Sequence, residues 1–166
     1  MVELRLVERQ DEDAGAVGFA QESARNAVSA VVMVAMIIRR VFSGAEWEAK
    51  VGYCRAVAVG PHVYIGGTAP VRPGGGTHAP GDAYAQTRRC FEIITAALRE
   101  LGGDLQHIVR TRMYVTDIAR WPEIGRAHAE HLGSSPPAAT MVEVRRLISD
   151  DMLIEIEVDA YVPDAS

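Results

Sequence analysis

His128 and His131 stand i,i+3 on a helical segment, a spacing that lets two imidazoles reach one metal ion. No HExxH pattern or further ligand goes with them, and histidines near a helix end commonly cap it or face solvent, so no metal is expected. Gly74-Gly75-Gly76 suggests a phosphate-cradling loop, but no Lys-Ser/Thr follows, and the stretch reads as a flexible connection. The pairs Arg88-Arg89 and Arg145-Arg146 read as solvated faces rather than an RNA track. Cys54 and Cys90 belong to no CxxC or Cys/His pattern; two buried free thiols fit them better than a disulfide. Glu155, Glu157 and Asp159 alternate with Ile154, Ile156, Val158 and Ala160, which gathers three carboxylates on one face of a strand. That face must be solvated, paired with Arg110 and Arg112, or buried against another subunit.

The elements that position these residues follow from periodicity. Residues 37–42, 53–59 and 62–66 read as strands, the last two joined by a Gly60-Pro61 hairpin. Residues 70–81 hold three prolines and four glycines and form a surface loop. Asp82 caps a helix whose apolar stripe runs Tyr84, Phe91, Ile94, Leu98 and Leu101, ended by Gly102-Gly103. Residues 108–116 set Val109, Thr111, Met113 and Val115 against Arg110, Arg112, Tyr114 and Thr116, which is strand periodicity. Residues 121–132 form a second helix, with Pro122 in its first turn and Gly133 and Pro136-Pro137 ending it. Strands at 140–144 and 153–162 complete the order β-β-β-α-β-α-β-β. The predicted class is α+β: a single sheet of about six strands with two helices packed on one face. So thin a core gains stability from oligomerisation.

A length of 166 residues fits one domain. Apolar residues at 48% and charged residues at 23% exclude a disordered chain, and a net charge of −5 argues against whole-surface attraction to nucleic acid or an anionic membrane. The longest apolar run, residues 30–38, is too short for a bilayer, which needs ~20 residues. The acidic segment before it makes a poor signal peptide, so a cytoplasmic location without a membrane partner is expected. Residues 1–36 show no strand pattern, although 20–35 is rich in Ala and Val and can form a helix. With internal methionines at Met33 and Met36, this segment is expected to be a disordered appendage or a misassigned start before a domain at 37–163.

The run PAATMVEV at 137–144, followed by LIEIE at 153–157, resembles the Rid family, the YjgF-type reactive-intermediate deaminases also known as L-PSP endoribonucleases. Further matches are VGYCRAV at 51–57, VYIGGTAP at 63–70, Gly81-Asp82 with Gln86-Thr87, and VRTRMYVTD at 109–117. The resemblance covers roughly residues 37–162. It implies a chorismate-mutase-like fold and a homotrimer whose sheets face an inner barrel, with small-molecule clefts between neighbouring subunits. It implies no cofactor.

The resemblance also places a site: Glu155 as the residue that orients the attacking water, and Tyr53, Gly66, Gly67, Thr68, Ala139, Thr140 and Met141 around the substrate. Two positions depart from the family pattern. Ala139 stands where the deaminases carry an arginine that grips the substrate carboxylate through two parallel charge-assisted bonds, and Gly66 stands where a serine is typical. Arg145 and Arg146 come too late in the strand to substitute. The expectation is a small-metabolite-binding trimer that hydrolyses an enamine or imine, yet is not a typical 2-imino acid deaminase. A non-catalytic ligand-binding trimer is the alternative, and RNA cleavage a weaker one. Against these stand plainer roles: Glu155 as one member of an acidic face, Tyr53 packing a strand end, Thr140 a β-branched strand residue.

Overall fold

A computed structural model describes residues 5–8 and 38–163. Along the chain lie β1 (Arg5–Glu8), β2 (Ile38–Phe42), α1 (Glu46–Val51), β3 (Ala56–Val59), β4 (His62–Thr68), α2 (Ala83–Glu100), β5 (Ile108–Val115), α3 (Trp121–Leu132), β6 (Ala138–Glu143) and β7 (Ile154–Tyr161). The strands form one sheet in the order β1-β2-β3-β4-β7-β5-β6. Neighbours are antiparallel except β5 and β6, which run parallel. A parallel pair needs a crossover, and α3 supplies it. The sequel β4-α2-β5 is a second crossover, with β7 inserted antiparallel between its two strands.

Local chemistry explains the long helix. Asp82 accepts from the Ala85 amide at 2.9 Å and starts α2, as its position before the apolar stripe requires. Phe91, Ile94, Leu98 and Leu101 are fully buried against Val63, Ile65, Ile156 and Val158 in one core. Each such side chain contributes about 1.5–3 kcal/mol by leaving water. The alternation read in β7 holds: Ile154, Ile156, Val158 and Ala160 are buried, while Glu155, Glu157 and Asp159 lie on the helix-free face. The Gly60-Pro61 hairpin joins β3 to β4 with Val59 opposite His62, and Gly60 takes φ +56°.

The structure departs from the sequence reading at several places. The sheet has a seventh strand, because Arg5–Glu8 pairs with β2 (Arg5 opposite Phe42) inside the segment read as having no strand pattern. The rest of that segment, including the helix expected over 20–35, lies outside the described residues. Residues 53–55 precede β3 rather than opening it, and α1 fills the connection before them. Tyr84 leaves the core stripe: it is half-exposed, its hydroxyl donates to Glu130 at 2.5 Å, and Arg126 stacks on its ring. Val109 is 51% exposed because a bulge between Ile108 and Arg110 shifts the alternation of β5 by one residue.

Candidate functional site

The end of β2, the start of β3, the end of β4 and the start of β7 meet at one end of the sheet, through the pairs Val41–Ala56, Ala56–Ile65 and Thr68–Ile156. There the β2–β3 connection and the glycine-rich loop after β4 stand beside α2 and enclose a cavity of about 870 Å³. Such a volume suits a small organic ligand.

Its first wall is held by a carboxylate. Buried Glu48 accepts from the Ser43 amide at 2.9 Å, the Ser43 hydroxyl at 2.8 Å and the Gly44 amide at 3.0 Å. These bonds tie α1 back onto the turn leaving β2 and leave Trp47 and Val51 to line the cavity. The opposite wall is the loop after β4. Gly74, Gly75 and Gly76 all have positive φ, and Arg72 Nε donates to the Gly75 carbonyl at 2.7 Å. The triple glycine is thus a tight loop at the cavity wall, with Arg72 folded over it.

Glu155 enters from β7. Its two companions on that strand are spoken for: Arg112 reaches Asp159 at 3.0 Å and Glu157 at 3.7 Å, Arg110 reaches Asp159 at 3.6 Å, and the Tyr114 hydroxyl donates to Glu157 at 3.2 Å. Glu155 alone of the three makes no hydrogen bond or ion pair with a described residue, and it lines the cavity. Burial pushes its carboxyl above the usual range, with Arg55 pulling against that shift and Glu157 adding to it. It lies flat on Gly67: a Cβ there would sit 1.9 Å from Glu155 Oε1. Glycine at 67 is therefore a matter of space for the carboxylate.

Arg55 closes the group. Its Nη2 donates to the carbonyls of Gly66 at 2.5 Å and Gly67 at 2.6 Å, and a Cβ on Gly66 would lie 3.3 Å from that nitrogen. Tyr53 lines the same cavity and is 40% exposed. A carboxylate raised toward neutrality, a guanidinium and a phenol around one volume can bind an anion, activate water and donate to a leaving group.

Of the residues expected at the site, Tyr53, Gly67 and Glu155 line this cavity. Gly66 contributes its carbonyl to Arg55, and Thr68 is buried with its hydroxyl donating to the Gly66 carbonyl at 3.0 Å. Ala139 and Thr140 are exposed and Met141 is half-buried on β6, an edge strand separated from β7 by β5. One chain does not bring them to the cavity. The histidines serve elsewhere: His128 Nε2 and Thr111 Oγ1 are hydrogen-bonded at 3.0 Å, while His131 Nδ1 donates to the Ala127 carbonyl at 2.7 Å and stacks on Phe91. Cys54 and Cys90 are free thiols, Cys90 buried and Cys54 half-buried. Sequence reasoning missed Arg55, Glu48 and Trp47; the motif around Tyr53 contained Arg55 but marked no role for it.

A profile of the family described as Endoribonuclease L-PSP matches residues 43–162. The chain belongs to this family, the Rid/YjgF proteins. The crystal structure of Rv2704 from Mycobacterium tuberculosis, of the YjgF/YER057c/UK114 family, matches with a TM-score of 0.69 at 46% identity, covering 75% of this chain and 99% of that one. SCO2049 of Streptomyces coelicolor is 35% identical over 129 residues, 78% of this chain and 96% of that protein. The 3-aminoacrylate deaminase RutC of Acinetobacter baylyi is 35% identical over 100 residues, 60% of this chain and 79% of RutC. The single mixed sheet with helices on one face is thus the Rid/YjgF fold. None of the described helices of this Rid-family chain is long and apolar enough to cross a membrane.

Proposed function

We propose that this Rid-family chain is a homotrimer that binds a small metabolite in clefts between subunits and hydrolyses an enamine or imine there. An enamine first takes a proton at its β-carbon to become the imine; Glu155 then holds and deprotonates the water that adds to the C=N carbon and returns the proton to nitrogen, which leaves as ammonia while the new hydroxyl loses its proton to give the carbonyl. The observation that carries this reading is Glu155 itself, partnerless beside two paired acids and pressed on a glycine in a cavity. The separation of the expected residues supports the trimer: β6 is an edge strand among the described residues, and a neighbouring copy can bring its Ala139 and Thr140 to the cavity mouth. The free thiols of Cys54 and Cys90 fit a reducing cytoplasm.

Without an arginine at Ala139, a 2-imino acid loses a charged anchor worth about 1.5–3 kcal/mol. Little turnover of 2-aminoacrylate is expected. The test is hydrolysis of an enamine and imine panel by the purified protein and by Glu155→Gln, with the oligomer measured by sedimentation. Turnover that survives the substitution sinks the assignment of Glu155. Robust turnover of 2-aminoacrylate sinks the argument from Ala139, whereas an Ala139→Arg variant that gains it supports the cleft. The same two departures, Ala139 and Gly66, favour the second reading, a ligand-binding trimer without catalysis; binding without turnover across the panel supports it. RNA cleavage is the weakest reading, since no histidine or lysine among the described residues lines the cavity.

A further inference from the structure

The cavity carries more positive charge than its contacts neutralise. Arg55, Arg72 and Arg89 line it, against Glu46 and Glu155. Glu46 is taken by Lys50 at 2.7 Å and Arg89 by Glu92 at 2.9 Å. Neither Arg55 nor Arg72 forms an ion pair with a described carboxylate; their hydrogen bonds go to backbone carbonyls. Arg55 is the more telling of the two. Both its bonds come from Nη2, its Nε is buried without an acceptor, and Nη1 has none among the described residues. A guanidinium taken partly out of water, held at Nη2 and unsatisfied at its buried Nε, with Glu48 and Glu155 nearby but beyond ion-pair distance, gains from an anion that meets it directly. Any side chain at Gly66 would crowd it. Trp47, Val51, Val71, Ile93, Ile148 and Met152 face the same volume, which at about 870 Å³ far exceeds a three-carbon substrate.

We infer that Arg55, assisted by Arg72, is the anion anchor of this site, and that its ligand is a carboxylate carried on an apolar body. The inference rests on the cavity being the ligand site, as proposed above, but not on its being catalytic. The carboxylate meets Arg55 at Nη1, which has no described partner and is not buried, and the apolar body covers Trp47 and its neighbours. Arg55 thus supplies from within this chain's cavity the anion grip that Ala139 cannot, with a different ligand shape as the consequence.

The test is calorimetric titration of the full-length protein at low salt with 4-phenylbutanoate and with its amide, 4-phenylbutanamide. The acid is expected to bind about tenfold more tightly than the amide, as a charge-assisted bond implies. Arg55→Gln removes the difference and Arg72→Gln narrows it. Because Arg55 also holds the carbonyls of Gly66 and Gly67, Arg55→Lys serves as a second variant and keeps an intermediate preference. Equal affinities for acid and amide on the wild-type protein, no binding of either, or a preference that persists in folded Arg55→Gln would each overturn the inference. A preference for the acid in a protein that hydrolyses nothing leaves the anchor standing and removes the hydrolase reading alone.

Discussion

Gly67→Ala isolates the placement of Glu155 from its chemistry. The added Cβ would lie 1.9 Å from Oε1, 3.0 Å from Cδ and 3.4 Å from Cγ of Glu155. Ordinary contact begins near 3.5 Å, so the carboxylate must retreat by about 1.5 Å. Backbone strain does not enter, because Gly67 is absent from the positive-φ positions. Nor does a lost bond, since Glu155 has no described partner to give up. The stability cost is therefore that of a changed rotamer, about 0.5–1.5 kcal/mol, or a melting temperature lower by about 2–8 °C. Function responds more steeply: a displacement of about 1 Å in a positioned group costs on the order of 100-fold in rate.

Two readouts follow. In the hydrolysis assay, Gly67→Ala falls about 100-fold while its circular dichroism stays that of the wild type. In a carbon-detected titration, the Glu155 carboxyl drops back toward the ordinary range, because the move takes it out of the burial that raised it. Gly67→Ala combined with Glu155→Gln should be no worse than Glu155→Gln alone, since both remove one interaction. Turnover within twofold of wild type, with an unshifted Glu155 titration, would refute both the contact and the role.

Other expectations are quicker to state. Glu155→Gln should stabilise the fold near neutral pH: a carboxyl raised in the folded state binds more protons there than when unfolded, so stability falls as pH rises from the ordinary carboxylate range through the raised value. Wild type and variant should converge at low pH in paired denaturant titrations; a constant gap contradicts this. Glu48→Ala strands three donors of the Ser43–Gly44 turn and should cost about 3 kcal/mol, with the cavity wall loosened and proteolysis near residues 43–53 accelerated. Asp159→Ala frees Arg110 and leaves Arg112 with Glu157 alone on the helix-free face. If that face closes between subunits, the oligomer measured by sedimentation should weaken while monomer stability changes by less than about 1 kcal/mol, and an unaltered oligomer speaks against the buried face.

The fold was legible because its signals are local and periodic. The alternation in β7, the cap at Asp82 and the two-residue turn at Gly60-Pro61 each act within a few residues. What escaped was set by register or by distant contacts. The bulge at Ile108–Arg110 turns Val109 outward without a mark in the sequence, and α1 is too short to show a stripe, with Trp47 and Val51 turned to the cavity. The pairing of Arg5–Glu8 with β2 joins segments about thirty residues apart, beyond the reach of periodicity.

The site was legible only as far as the family motif reached. That motif brings Tyr53, Gly67 and Glu155 to one cavity and leaves Ala139 and Thr140 on a distant edge. Periodicity alone does not separate Glu155 from Glu157 and Asp159 on one strand face; only the family resemblance singles it out. What separates them is the reach of Arg112 and Tyr114, which ends at Glu157, and the empty Cα of Gly67, which receives Glu155. Arg55 stands within the motif around Tyr53 and escapes for the same reason: a guanidinium on a strand approach reads as solvated until the structure shows two carbonyls fixing Nη2 and a buried Nε without an acceptor. In both cases the chemistry lies in which partner is missing, and a missing partner is a property of three-dimensional neighbours that no spacing along the chain records.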